Sequence, residues 1–486
     1  MLSPKRTMGQ YSTPQETVTY MTKNLLKYLS SDVQESQILD PCTGDGIFIK
    51  SLLQSGVSAD HLFAYDIDPL IPPPDEKVYF IQTDFLKESN TEKFDAIIGN
   101  PPYKSKRQSS YLLENKKYLS EEFQEVGIHN LYTLFIYKGI QKLKDGGILT
   151  MIVQDSFLSN VYYKNFRKYV LDHTEIKEII LAPRRLFHKG KADVRTCILT
   201  LKKKPSSLID RNPTHTMRLI DRLAAQEYTN PPDESVQYLN QIHFENNPNY
   251  NYSINVPIEI LSLFHTPYVP LGDVVKIVTG ISTGNDKYFL REQSEVTNYE
   301  DWLPFYKNGG SKDTWYYEPK YYIHKNWPQY KNVHSNFMVR NPSYYYKEGI
   351  TCSSMGVEFS AAYLPPGSLF GVNANLFPKN REDLFYFLGL LNSLLVKYML
   401  RKFLNRTNMI TAGYLKKLPY VEPSESLKEV VVESTISLIE GKKKDPSFNT
   451  QKLQRKVDQA IFESYGIPED TQSHVKRFCK DLPENI

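Results

Sequence analysis

Three short apolar runs near the start of the chain each end in an acid, and this pattern constrains the fold most. "ILD" closes on Asp40, "LFAYD" on Asp66 and "IQTD" on Asp84. Runs that are apolar without alternation read as strands buried on both faces. Between the first two lies "PCTGDGIFIKSLLQSG", a glycine-containing turn followed by helical periodicity. "FDAIIG" supplies a fourth strand. "LYTLFIYKGIQKLKDGG" has the period of a helix closed by glycine, and "ILTMIV" follows it as a strand. A helix at about 160–171 and the strands "EIKEIILA" and "RTCILTLKKK" continue the alternation. Alternating β and α elements predict an α/β fold with a mainly parallel, doubly wound, Rossmann-like sheet.

The fourth strand runs directly into "GNPPYK". Gly99 is expected to let the backbone turn out of the sheet. Pro101 and Pro102 fix two successive φ angles and offer carbonyls without N–H donors. The result is a stiff loop presenting the Asn100 amide, a bare carbonyl and the Tyr103 ring, parts suited to gripping a planar amine.

The strand-end acids suit a nucleoside. Gly44 and Gly46 allow close backbone approach to a ligand, and Asp40 can accept from a cationic head group. Asp66 lies about twenty residues past the turn, where a carboxylate reaches ribose hydroxyls. Asp84 precedes Phe85, a platform for adenine. Each acid alone reads equally well as a solvated strand end. The turn also lacks the third glycine of a dinucleotide fingerprint and the lysine of a P-loop.

Taken together these stretches resemble the S-adenosylmethionine-dependent amino-methyltransferases. "DPCTGDG", from Asp40 and Pro41 to Gly46, is similar to their first motif, and Asn100-Pro101-Pro102-Tyr103 to their catalytic tetrapeptide. Because "GQYSTPQETVTYM" precedes the cofactor turn, the order is that of the gamma class, the TaqI-like DNA adenine-N6 methyltransferases. The likeness spans residues 9 to 204. It implies S-adenosyl-L-methionine as cofactor, with Asp66 and Ile67 at its ribose and Asp84 and Phe85 at its adenine. Thr13 and Pro14 would pack over its methionine end. It implies double-stranded DNA as partner, an adenine flipped out of the duplex, and the Asn100 side chain and Pro101 carbonyl accepting its two amine hydrogens. Tyr103 and Phe187, the latter in "RRLFHKGKADVRTCILTL", would sandwich the base. Transfer would be direct, without a covalent enzyme intermediate.

Four alternatives share parts of this pattern. Cytosine-N4 methyltransferases use the same chemistry but more often begin the tetrapeptide with serine. RNA adenine methyltransferases fit the loop equally well. Release-factor glutamine methyltransferases carry Asn-Pro-Pro-Tyr but are short. An inactive DNA-binding module would not need the tetrapeptide intact. Pro41-Cys42 matches the nucleophile pair of cytosine-C5 methyltransferases, but it lies inside the cofactor turn.

Length and composition bound the rest. With 486 residues, two or three domains are expected. We place the catalytic domain at 1–204, a linker rich in Asn, Pro and Asp at 205–267, and a second, α+β domain with a helical end at 268–486. Between Trp302 and Lys347 stand fourteen aromatic residues and seven Lys or Arg. That mixture suits stacking on bases and contact with phosphates, or else a tyrosine-rich β core with a solvated basic face. "GISTGNDKYFL", "YYYKEGITCSS", "AAYLPPGSLF" and "LGLLNSLLVKYMLRKFLNRT" resemble target-recognition segments of large bacterial adenine methyltransferases, including those of BREX phage-defence systems. Lys104–Lys117 reads as a basic loop that either tracks phosphates or stays solvated. The four cysteines have no metal spacing, and no metal is expected. No signal peptide is seen and Leu384–Leu400 reads as a buried helix, so a cytoplasmic protein with no membrane partner is expected. The stretch before Thr13 leaves no room for a nuclease. Modification without cleavage follows, with any cognate restriction endonuclease encoded separately.

Overall fold

The computed structural model describes residues 12–29, 32–187, 194–205, 215–265, 267–311, 313–356, 358–405, 409–480 and 482. The chain forms two compact units, Met1–Asn255 and Val256–Ile486.

The first unit is built on a nine-stranded sheet. Its strands are β1 (Ile38–Asp40), β2 (Leu62–Asp66), β3 (Tyr79–Gln82), β4 (Phe94–Gly99), β5 (Leu143–Gln154), β6 (Thr174–Leu181), β7 (Thr196–Lys203), β8 (Thr216–Ile220) and β9 (Val236–Asn240). Their order is β3-β2-β1-β4-β5-β7-β6-β8-β9. β3 to β5 are mutually parallel, and β7 runs antiparallel to both β5 and β6. The sheet is therefore mixed beyond β5. β1 and β2 are buried along their whole length, as their unbroken apolar runs require. Helices α1 (Gln15–Tyr28), α2 (Ile47–Gln54), α3 (Ser110–Glu114), α4 (Lys116–Glu122), α5 (Leu131–Lys142) and α6 (Lys164–His173) accompany it. Strand order reverses between β1 and β4, so the carboxyl ends of these two strands form the switch point where ligands bind in such folds.

The stretch expected as a linker, 205–267, differs. β8 pairs in parallel with β6, and β9 pairs antiparallel with β8, so 216–240 extends the catalytic sheet. Tyr228 hydrogen-bonds Thr17 of α1, and the buried Tyr252 donates to the Arg167 carbonyl at 2.9 Å. The compact division falls after Asn255. "TMRLI" is too short to declare itself a strand; the exposed edge of β6 makes it one.

The second unit holds two four-stranded sheets and a helical end. Phe305, Tyr306, Trp327, Phe337 and Tyr345 lie in one hydrophobic core cluster, and Trp315 is 1% exposed. Much of the aromatic content of 302–347 is thus β core, not stacking surface. Leu384–Leu400 falls within two helical segments, Arg381–Asn392 and Leu394–Leu404, bent by 54° and largely buried. Among the described residues no single helix is long and apolar enough to cross a membrane. Helix Glu425–Lys444, with only Val431, Ser434, Thr435, Leu438 and Ile439 buried, carries too thin an apolar stripe to be read from sequence.

Candidate active site

The turn after β1 is shaped by its glycines. Gly46 has φ +71°, and a Cβ there would lie 2.5 Å from the Pro74 Cβ, so any side chain would be both strained and obstructed. Gly99 acts differently from the expectation. It stays within β4, and a Cβ on it would approach Asp40 Oδ1 to 3.2 Å. Its value is close approach to the acid, not release of the chain from the sheet.

Asp40 is fully buried. Oδ1 accepts from the Cys42 N–H at 3.2 Å, whereas Oδ2 has no hydrogen-bond partner among the described residues. Burial pushes its carboxyl up to about 8; the Cys42 N–H opposes that rise and the nearby Asp66 charge adds to it. A buried carboxylate oxygen without a donor is costly, and the raised value means that the group holds a proton near neutral pH unless a cation meets it. Cys42 is held well above the usual thiol range by its enclosed site and by Asp40 and Asp66, the opposite of what a nucleophile needs.

Asp66 ends β2 and ties the turn to the sheet: Oδ2 accepts from the Gly44 N–H and Oδ1 from the Asp68 N–H, both at 2.9 Å. Asp84 accepts from the Leu86 N–H at 3.1 Å and from the Tyr111 hydroxyl at 2.8 Å. The buried Phe85 ring lies 5.4 Å from that of Phe135. Pro41, Asp66, Ile67, Asp84, Phe85 and Pro102 line one cavity of about 420 Å³, joined by Tyr111, Leu131 and Phe135. Its mixture of apolar walls and strand-end acids fits a nucleoside; Asp40, Gly44, Gly46, Asn100 and Tyr103 do not line it, and Asp40 is buried behind its neighbour Pro41.

A second cluster forms around the tetrapeptide. The Asn100 Nδ2 donates to Thr13 Oγ1 at 3.0 Å, and Asn100 Oδ1 accepts from the Tyr103 hydroxyl at 2.5 Å. Pro14 accepts from the Val18 N–H at the start of α1, which anchors Thr13 beside β4. Tyr103 and Phe187 meet with ring centroids 6.4 Å apart and planes at 63°. This edge-on contact leaves no parallel slot, so a base between them requires one ring to move. The structure thus brings Thr13, Asn100, Tyr103 and Phe187 together, while neither Thr13 nor Pro14 lines the cavity. The rest of the basic stretch, 188–193, lies outside the described residues. Among the described residues no group of three His, Cys, Asp or Glu side chains could hold a metal ion.

Lys104–Lys117 was expected as a loop. It enters α3 and α4 instead, with the Ser109 hydroxyl capping α3 by accepting from the Leu112 N–H at 3.2 Å. Its Lys104, Gln108 and Tyr111 line the cavity. The Ser-Ser-Tyr-Leu-Leu start was the signal available, since serine before an apolar pair marks a helix N-terminus.

Comparison with known proteins places this geometry. Residues 61–187 match the family described as Eco57I restriction-modification methylase. The type II methyltransferase M.HincII of Haemophilus influenzae is 31% identical over 197 residues, 40% of this chain and 37% of that protein. M.AccI of Acinetobacter calcoaceticus is 24% identical over 324 residues, 61% of this chain and 56% of that protein. The chain thus spans well under two thirds of either relative. Among solved structures, the type IIL restriction-modification enzyme MmeI, in complex with DNA, superposes with a TM-score of 0.62 at 12% identity, covering 96% of this chain and 75% of that one. The fold is that of a methyltransferase. In sequence, the first unit is similar to type II restriction-modification methyltransferases. Asp40 and the tetrapeptide sit at the switch point, whereas Asp66 ends the neighbouring β2 and Asp84 follows β3.

Proposed function

We propose that this chain is a gamma-class DNA methyltransferase acting on adenine N6, the modification component of a restriction-modification or phage-defence system. The observation that carries the reading is Asn100. At the switch point of the sheet, a proline-stiffened loop holds its amide between two hydroxyls, those of Thr13 and Tyr103.

The cofactor we propose is S-adenosyl-L-methionine, which when bound supplies an activated methyl group. Asp40 would hold its ammonium, Asp66 and Ile67 its ribose, and Asp84 and Phe85 its adenine. Asn100 Oδ1 and the Pro101 carbonyl accept the two amine hydrogens of the target base. Drawing on both N–H bonds turns the nitrogen lone pair out of ring conjugation, and most of the rate comes from positioning and preorganised acceptors. Tyr103 forms one wall of the base site, and Phe187 swings off it to admit the base, whose extrusion from a duplex costs roughly a few kcal/mol.

We assign sequence reading to the second unit, in keeping with the likeness of its segments to the target-recognition parts of BREX-type methyltransferases. A catalytic loop recognises only the base it flips, so other groups must read the site. Double-stranded DNA is the partner, and a separately encoded endonuclease is the natural counterpart. Tritium transfer from labelled S-adenosylmethionine to DNA, RNA and protein substrates tests the reading. DNA should be labelled, and Asn100→Ala should slow transfer at least ~100-fold. Label on RNA or protein alone would refute it.

A further inference from the structure

We infer that Thr13 and the Tyr103 hydroxyl are positioning residues that fix which face of the Asn100 amide meets the substrate. The inference rests on the methyltransferase reading and goes beyond the cofactor-packing and stacking roles given to these two residues above.

An asparagine amide is nearly symmetric in shape. Rotating it by half a turn exchanges an acceptor oxygen for a donor nitrogen at little steric cost. At this site the exchange is decisive. An oxygen accepts the amine hydrogen, whereas an –NH2 group would meet the amine donor to donor. Something must therefore hold the amide with its oxygen outward.

Two buried side chains do so. Thr13, 5% exposed, stands 3.0 Å from Asn100 Nδ2, the spacing of an N–H···O bond. Tyr103, 6% exposed, donates its hydroxyl proton to Asn100 Oδ1. The two bonds agree on one orientation. A competitor is also present. The Tyr103 oxygen lies 2.9 Å from the Ile152 carbonyl, and a hydroxyl has only one proton to give. When that proton goes to Ile152, the tyrosine oxygen can accept from the amide nitrogen, and the flipped amide is satisfied as well. Thr13, able to donate or accept, follows either arrangement. The Tyr103 proton and the amide orientation are thus coupled: in the arrangement seen here the proton goes to Asn100 Oδ1 and Thr13 accepts from the amide nitrogen, which is the productive face.

The test uses the full-length protein and unmethylated plasmid DNA, with wild type, Tyr103→Phe, Thr13→Val and Thr13→Ser. Tyr103→Phe keeps the ring and removes only the hydroxyl; Thr13→Val keeps the shape and removes the acceptor. Both should lower the single-turnover methyl-transfer rate on the order of tenfold or more, with KM for DNA and Kd for S-adenosylmethionine within about threefold of wild type. Thr13→Ser should restore most of the rate. A merely structural role would move melting temperature and affinities together and would not split rate from binding. If wild type transfers methyl groups and both deletions transfer as fast, or lose affinity with the rate kept, the inference is overturned. If wild type labels no DNA, the reading beneath it fails first.

Discussion

The Tyr111 hydroxyl donates to Asp84 Oδ2 at 2.8 Å, so a residue from the segment after the catalytic loop holds the acid we assign to the cofactor's adenine. Burial and then the adjacent carboxylate push the Tyr111 hydroxyl above the usual tyrosine range, so it stays protonated and a donor. Tyr111→Phe should therefore weaken S-adenosylmethionine binding by roughly three- to tenfold, as for losing one ordinary hydrogen bond that orients the acid without touching the ligand. Isothermal titration calorimetry decides it. Tighter binding in the variant would show that the hydroxyl competes with the ligand instead of orienting the acid.

Asp40 gives cofactor binding a pH dependence of definite sign. Its carboxyl sits at about 8 in the folded protein against 3.8 for the free group, so between those values the native state holds a proton that the unfolded chain has lost. The group's contribution to stability is full below the unfolded value and is lost as pH rises through about 8. A ligand ammonium on Asp40 favours the carboxylate, so binding near pH 7 should release close to one proton. Affinity should rise with pH toward about 8 and then level. Calorimetry at pH 7 in two buffers of different ionisation enthalpy measures the release, and Asp40→Asn should abolish it. Proton uptake on binding would contradict the assignment.

Asp66 serves two tasks. Because both its oxygens accept backbone N–H groups, from Gly44 and Asp68, Asp66→Ala should cost the fold as well as the ligand. Urea denaturation without cofactor should show a loss of about 1–2 kcal/mol, since two part-buried donors lose their acceptor. Unchanged stability with weakened binding would return Asp66 to a purely ribose-binding role.

How far the sequence reached follows from where each signal resides. The central strands were legible because strands buried on both faces must be apolar throughout, and "LFAYD" and "DAIIG" announce this locally. Asp40 and Asp66 were legible because each ends such a strand, whereas Asp84 follows a strand, Tyr79–Gln82, that is largely exposed and lies at the sheet edge. What escaped depends on distant partners. Nothing near Thr13 indicates that its hydroxyl meets Asn100, 87 residues away. β8 is a strand only because β6 offers an edge, so 205–267 looked like linker. The aromatic stretch that holds Trp315 and Tyr306 reads as stacking surface or as β core, because burial cannot be read from tyrosine and tryptophan themselves, which suit cores and interfaces alike; these two are core. Gly99 escapes for a related reason: the Asp40 carboxylate that crowds a Cβ there belongs to another strand.

The central claim is that this chain methylates adenine within a defined DNA sequence. Single-molecule sequencing of DNA from a methylation-free host expressing the protein tests it most directly. We expect N6-methyladenine at one motif, present with the wild-type protein and absent with Asn100→Ala. N4-methylcytosine at the motif, or DNA unmodified by a folded wild-type protein, would contradict it.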